Sequence, residues 1–237
     1  MSGIFHFKQF SVNQANCAMK VNTDGVLLGA MAGNDNALSI LDIGTGTGVI
    51  ALMLAQRYPS TAITAVEMDE NAAQTARLNF SNSKFNNRLQ VYAQSFQHYF
   101  AAHATQQFDI IVSNPPFYIH SLPSPGKQKA LAKHADSGFF IELIAATAMH
   151  LTANGEGWLI APLNTITLVL QLAEQNGLHL QRIVDILSYP HAEPHRRVIV
   201  LGRRQTPVTA TRLSVYDAPG IYNAEYRSLL SAFLTIF

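Results

Sequence analysis

Short apolar runs alternate along this chain with stretches of helical spacing. Leu38–Ile43, Ala62–Glu67, Leu89–Ala93, Phe108–Ser113, Gly157–Ala161, Leu178–Ser188 and Arg197–Gly202 read as strands. Between them, Val49–Arg57, Asn71–Phe80, Ser95–Ala102, Phe139–Leu151 and Thr165–Gln175 repeat apolar positions at helical intervals with few breakers. The early strands show little polar alternation, as parallel strands do when helices cover both faces. The pattern therefore predicts an α/β fold, an open doubly wound sheet of about seven strands. A long stretch, Tyr118–His134, reads as a loop, and a second loop spans Tyr189–His195. The tail adds a strand at Leu213–Tyr216 and a short helix at Ala224–Phe233, too little for a core of its own. We expect one domain over residues 1–237, with 1–36 covering the site and 205–237 as an extension.

Composition narrows the class. Of the 237 residues, 48% are hydrophobic and 13% charged, which favours a buried core over disorder. The net charge of +1 offers no global argument for nucleic-acid binding, so any such argument must be local. The single cysteine, Cys17, allows no intrachain disulfide and reads as a buried, inert thiol. The segment MSGIFHFKQF lacks the pattern of a secretory signal, and no apolar run reaches the ~18 residues of a membrane span. A cytoplasmic protein away from the membrane is expected. The nine histidines show no metal-ligand spacing; His191 and His195 are separated by Pro194, which argues against a shared helix face, so no metal is expected.

The stretch LSILDIGTGTGVIALMLAQR joins a strand to a helix through Gly44, Gly46 and Gly48. Glycines let the backbone turn sharply and let a ligand approach with no Cβ in the way. Amides at a helix N-terminus favour a carboxylate or another anion. The spacing is G-x-G-x-G, not the G-x-G-x-x-G of dinucleotide sites. The next strand ends at Glu67, placed to accept both hydroxyls of a ribose. This combination resembles the class I S-adenosylmethionine-dependent methyltransferases. The resemblance implies a Rossmann-like sheet, mostly parallel with an antiparallel last strand, and S-adenosyl-L-methionine as cofactor. It places Asp42, Gly44, Thr45, Gly46 and Gly48 around the methionine part, Glu67 on the ribose and Met68 against the adenine. Gln94 and Ser95 stand where the family often has an Asp bound to the adenine amine.

The chain DIIVSNPPFY ends a buried strand in Asn114-Pro115-Pro116-Phe117. Strand order should set Asn114 beside the glycine turn. An exocyclic base amine or an amide nitrogen is a poor nucleophile because its lone pair is delocalised. The side-chain oxygen of Asn114 and the carbonyl of Pro115 can accept its two N–H groups as positive charge develops. Pro115 and Pro116 restrict the backbone, and Phe117 offers a flat face for a planar substrate. The run matches the (N/D)-PP-(Y/F/W) motif of amino-methyltransferases, which adenine-N6, guanine-N2 and glutamine-amide enzymes share.

Together with FKQFSVNQANCAMKVNTDGVLLGAMA, AVEMDENAA, the basic HRRVIVLGRR and the aromatic IYNAEYRSLL, these stretches resemble the bacterial tRNA1(Val) (adenine(37)-N6)-methyltransferase family over nearly the whole chain. The resemblance implies methyl transfer to N6 of the adenine next to the anticodon, with Lys20 and Thr23 in a segment over the cofactor. A partly unstacked anticodon-loop base is cheaper to extrude than one in a duplex. Lys127, Lys129, Lys133 and His134 in the long loop, and Arg196 and Arg197 near the last strand, are the candidate RNA contacts. The rival readings are a guanine-N2 rRNA methyltransferase and a glutamine-amide protein methyltransferase. Oligomeric state has no sequence signal.

Overall fold

The chain opens with a short antiparallel hairpin, β1 (Ile4–His6) and β2 (Ser11–Asn13), followed by helix α1 (Thr23–Met31). The computed structural model describes residues 3–15, 17–33, 36–115 and 127–237, of which 127–137 are described by backbone alone. Strands and helices then alternate: β3 (Ser39–Ile43), α2 (Val49–Arg57), β4 (Ala62–Glu67), α3 (Glu70–Ser81), β5 (Leu89–Ala93), α4 (Phe96–Ala102), β6 (Phe108–Ser113), α5 (Lys127–His150), β7 (Leu151–Ala161), α6 (Leu163–Gln175), β8 (His179–Leu187) and β9 (Arg196–Gly202). The chain closes with β10 (Thr209–Ser214), the small hairpin β11 (Tyr216–Ala218) and β12 (Ile221–Tyr222), and α7 (Ala224–Leu230).

One sheet has eight strands in the order β10-β8-β9-β7-β6-β3-β4-β5. Parallel pairing joins β5, β4, β3, β6 and β7, while β9 runs against both of its neighbours. The open, mostly parallel sheet of about seven strands is thus present, with eight in the main sheet. The antiparallel strand is present but is not the last, because β10 follows it and pairs parallel with β8. Thr209–Arg212 are exposed and, apart from Ala210, polar, as an edge strand tolerates, so the strand expected at Leu213–Tyr216 catches only the end of β10.

The sheet is buried on both faces. On β3 and β6, Ile40, Ile110 and Val112 join one core with α1, α2 and α3; Leu41, Ile43 and Ile111 join another under α4, α5 and α6. Successive side chains point to opposite faces, so a continuous apolar run serves both cores. Cys17 is buried, and its pKa is raised chiefly by that burial.

Two further expectations change. The helix expected at Phe139–Leu151 begins at Lys127, so Lys127, Lys129, Lys133 and His134 lie in α5 rather than in a loop. KQKALAKHA is rich in strong helix formers, which outweigh the nearby Pro125 and Gly126. Strand β7 begins at Leu151 rather than Gly157, because its polar start still pairs with β6 across a register shift. The tail is bound to the front of the chain. The Lys8 N–H donates to Phe233 O at 2.7 Å, and Lys8 Nζ donates to Ser231 O and Phe237 O at 2.6 and 2.8 Å.

Candidate active site

Every predicted site residue that the structure describes in full sits at or beside the carboxyl edge of the sheet, where open α/β sheets bind ligands. Between β3 and α2 the chain passes through Gly44, Gly46 and Gly48 at φ of 72°, 55° and 82°. All three are left-handed, a conformation that costs an L side chain about 1–2 kcal/mol. Their surroundings differ. A Cβ on Gly44 or Gly46 would meet nothing within 4 Å among the described residues, whereas one on Gly48 would lie 2.5 Å from Phe80 Cε1. Gly48 is a packing glycine against α3; Gly44 and Gly46 face open space.

The turn's amides are largely engaged. Gly44 and Thr45 donate to Val66 O at 2.9 and 3.2 Å, and Gly46 donates to Glu67 Oε2 at 2.8 Å. The other Glu67 oxygen accepts from the Asp69 N–H at 2.9 Å. The anion at this turn is therefore the protein's own carboxylate, brought there from the tip of β4. Met68 beside it is 78% exposed, an unusual position for a large apolar side chain.

Asp42 is fully buried at the end of β3. Its Oδ2 accepts from Thr45 Oγ1 at 2.6 Å, while Oδ1 has no partner among the described residues. Burial pushes its pKa up to about 7, opposed by the Thr45 hydroxyl and the Ala51 backbone N–H and reinforced by the Glu67 charge.

Asn114 follows β6. Ile43 and Ser113 are register partners, and Ser113 Oγ donates to Ile43 O at 2.9 Å, so the two strand tips are tied together. This puts Asn114 about one strand spacing, ~4.8 Å, from the glycine turn, as expected. Asn114 and Pro115 are buried. Asn114 Oδ1 has no hydrogen-bond partner among the described residues, and Nδ2 lies 4.0 Å from Met19 Sδ. Pro116 and Phe117 lie outside the described residues, as do the side chains of Lys127, Lys129, Lys133 and His134.

The remaining predicted residues have assigned places. Ser95 caps α4, its Oγ accepting from the His98 N–H at 3.2 Å, and half-buried Gln94 precedes it. Lys20 and Thr23 are exposed, with Thr23 opening α1 after the Asn22 cap. Arg196 and Arg197 form ion pairs with Asp24 and Asp185 at 2.8 and 2.7 Å.

One organising residue escaped the sequence reading. Asn79 on α3 accepts from the Asn13 N–H at 2.8 Å and donates to Asn13 O at 2.9 Å and Thr47 O at 2.8 Å. It ties the N-terminal segment to the glycine turn. The signal was present: Asn79 lies on the stripe of Ala72, Ala73, Ala76 and Phe80, and a polar residue on a buried face needs partners.

Comparison with known proteins identifies the family and the fold. The family model described as Methyltransferase small domain matches residues 17–170. A tRNA1(Val) (adenine(37)-N6)-methyltransferase of Pedobacter heparinus is 41% identical over 237 residues, covering 100% of both chains. The protein of that name from Pseudoalteromonas translucida is 41% identical over 233 residues, covering 98% of each. Among solved structures, a predicted O-methyltransferase from Agrobacterium tumefaciens superposes with a TM-score of 0.67 at 18% identity, over 89% of this chain and 96% of that one. That likeness carries the fold alone.

Proposed function

Because the chain belongs to the tRNA1(Val) (adenine(37)-N6)-methyltransferase family, we propose that it methylates N6 of the adenine next to the anticodon of a tRNA, with S-adenosylmethionine as donor. The observation that carries the reading is the buried Asn114 Oδ1, which has no hydrogen-bond partner among the described residues and lies beside the glycine turn. A buried acceptor with no partner is expensive unless a ligand supplies the donor.

The described residues suit the cofactor. Gly44 and Gly46 leave room for it among the described residues, buried Asp42 lies at the start of the turn, and Glu67 and exposed Met68 stand at the tip of β4. S-Adenosylmethionine, when bound, supplies an electrophilic methyl group. Asn114 Oδ1 and the Pro115 carbonyl accept the two N–H groups of the adenine amine and stabilise the positive charge that develops on it. Phe117 stacks on the base. No side chain must remove a proton before attack. Gln94 and Ser95 lie near the cofactor's adenine, and Lys20 and Thr23 over the cofactor.

The anticodon loop docks on the start of α5, through Lys127, Lys129, Lys133 and His134, with Arg196 and Arg197, each paired with an aspartate, as further contacts. The whole chain works as one methyltransferase domain, residues 1–36 forming a wall of the site and 205–237 an extension. No helix of the described residues is long and apolar enough to cross a membrane, and a tRNA substrate places the work in the cytoplasm.

The test is labelled cofactor with total RNA lacking N6-methyladenine, followed by digestion. Label in N6-methyladenosine from tRNA is expected, and Asn114→Ala should abolish it while cofactor binding survives. Label on guanine N2 or on a protein glutamine would replace the reading with one of its rivals.

A further inference from the structure

The Asn114 amide has two chemically opposite ends, and the proposed reaction needs one of them. Its oxygen must face the incoming amine. If the amide were turned over, an NH2 group would meet the N–H bonds of the substrate, donor against donor. The backbone does not choose between these orientations, since the two ends are nearly the same size.

Met19 makes the choice. Its Sδ lies 4.0 Å from Asn114 Nδ2, and a thioether sulfur is an acceptor with no hydrogen to give. The amide end that faces it is favoured as NH2. The same nitrogen lies against Gly25, where a Cβ would come 3.6 Å from it. Asn22 Oδ1, which would lie 3.6 Å from the same Cβ, is committed to the Gly25 N–H at 2.9 Å. Oδ1 of Asn114 is thereby left buried, with no hydrogen-bond partner among the described residues.

The segment that carries Met19 is held at both ends. Asn79 grips Asn13, the Val21 N–H donates to Gln14 Oε1 at 2.9 Å, and Asp24 pairs with Arg196. Met19 itself is 37% exposed. A large apolar side chain held in the open by a braced segment, with its sulfur against a buried amide, reads as placed for that amide. We infer that Met19 is a positioning residue, whose thioether fixes the orientation of the Asn114 amide so that its oxygen receives the amine. The inference rests on the role proposed above for Asn114.

Met19→Leu keeps the volume and removes the acceptor. The transfer rate at saturating substrates should fall roughly three- to tenfold in Met19→Leu, the worth of one weak hydrogen bond, with KM for tRNA and cofactor affinity unchanged. In the cofactor-free protein, the Asn114 side-chain NH2 resonance, identified by its absence in Asn114→Ala, should move in Met19→Leu. A wild-type rate in Met19→Leu or an unmoved resonance would overturn the inference. If wild-type protein methylates no RNA adenine, the proposed function fails on its own, and the resonance still decides whether Met19 orients the amide.

Discussion

Glu67 holds the glycine turn by its carboxylate: Oε2 accepts from the Gly46 N–H at 2.8 Å, and Oε1 accepts from Asp69 across the next loop at 2.9 Å. One side chain therefore braces both backbone turns that border the proposed ribose site. Glu67→Ala should weaken S-adenosylmethionine binding and also lower stability by roughly 1–2 kcal/mol, because two amides lose a charged acceptor. Calorimetric titration and urea unfolding check the two effects separately. An unchanged dissociation constant would remove Glu67 from the ribose site and leave it a brace.

The three turn glycines should separate by phenotype. Gly48→Ala meets the Phe80 ring at 2.5 Å and also carries a left-handed φ. It should cost about 2–4 kcal/mol of stability. Gly46→Ala meets no atom of the described residues within 4 Å and should cost only about 1–2 kcal/mol, from backbone strain. Its larger effect should fall on cofactor affinity. Thermal melts with and without S-adenosylmethionine test this; equal stability losses would contradict the packing role of Gly48.

Asn79 joins Asn13 and Thr47 by three hydrogen bonds made in a buried place. Asn79→Ala leaves those backbone groups unpaired and should destabilise the protein by roughly 2–3 kcal/mol. Protection of the amides around Asn13 in hydrogen exchange should fall with it. If exchange near Asn13 stays slow, the hairpin is held by other contacts.

Asp42 should make stability depend on pH in an unusual direction. Its pKa rises from 3.8 to about 7 on folding, so between these values the folded protein binds the extra proton. This contribution is fully present below pH 3.8, is lost as pH rises toward about 7, and is absent above that. Asp42→Asn, which cannot ionise, should flatten this part of the profile. Urea unfolding of both proteins between pH 4 and 8 measures the difference; parallel profiles would mean that Asp42 does not titrate there.

Much of the fold was legible because local signals agreed. The bounds read for β4, β5, β6 and α2 are those observed; β4 ends in an acid, β6 runs into Asn-Pro, and α2 starts after Gly48 and stops just before Pro59. The signals failed where burial and propensity part company. The edge strand β10 is mostly polar, β7 starts in the polar run Thr152–Glu156, and the first turns of α5 follow two prolines and a glycine.

The sequence by itself determined the strand–glycine turn–helix unit, the acid at the tip of the next strand, and the Asn-Pro-Pro-Phe end of the buried strand; each is a short-range pattern whose chemistry is local. Only the tertiary structure decided how those parts are held. Asn13 meets Asn79 across 66 residues, and Met19 meets Asn114 across 95. It also decided that the Glu67 carboxylate lies on the glycine turn and that Arg196 is paired with Asp24. Hydrogen bonds and contacts of this range leave no periodicity in the chain, because they depend on which sheet edge each segment reaches and not on the residues beside it.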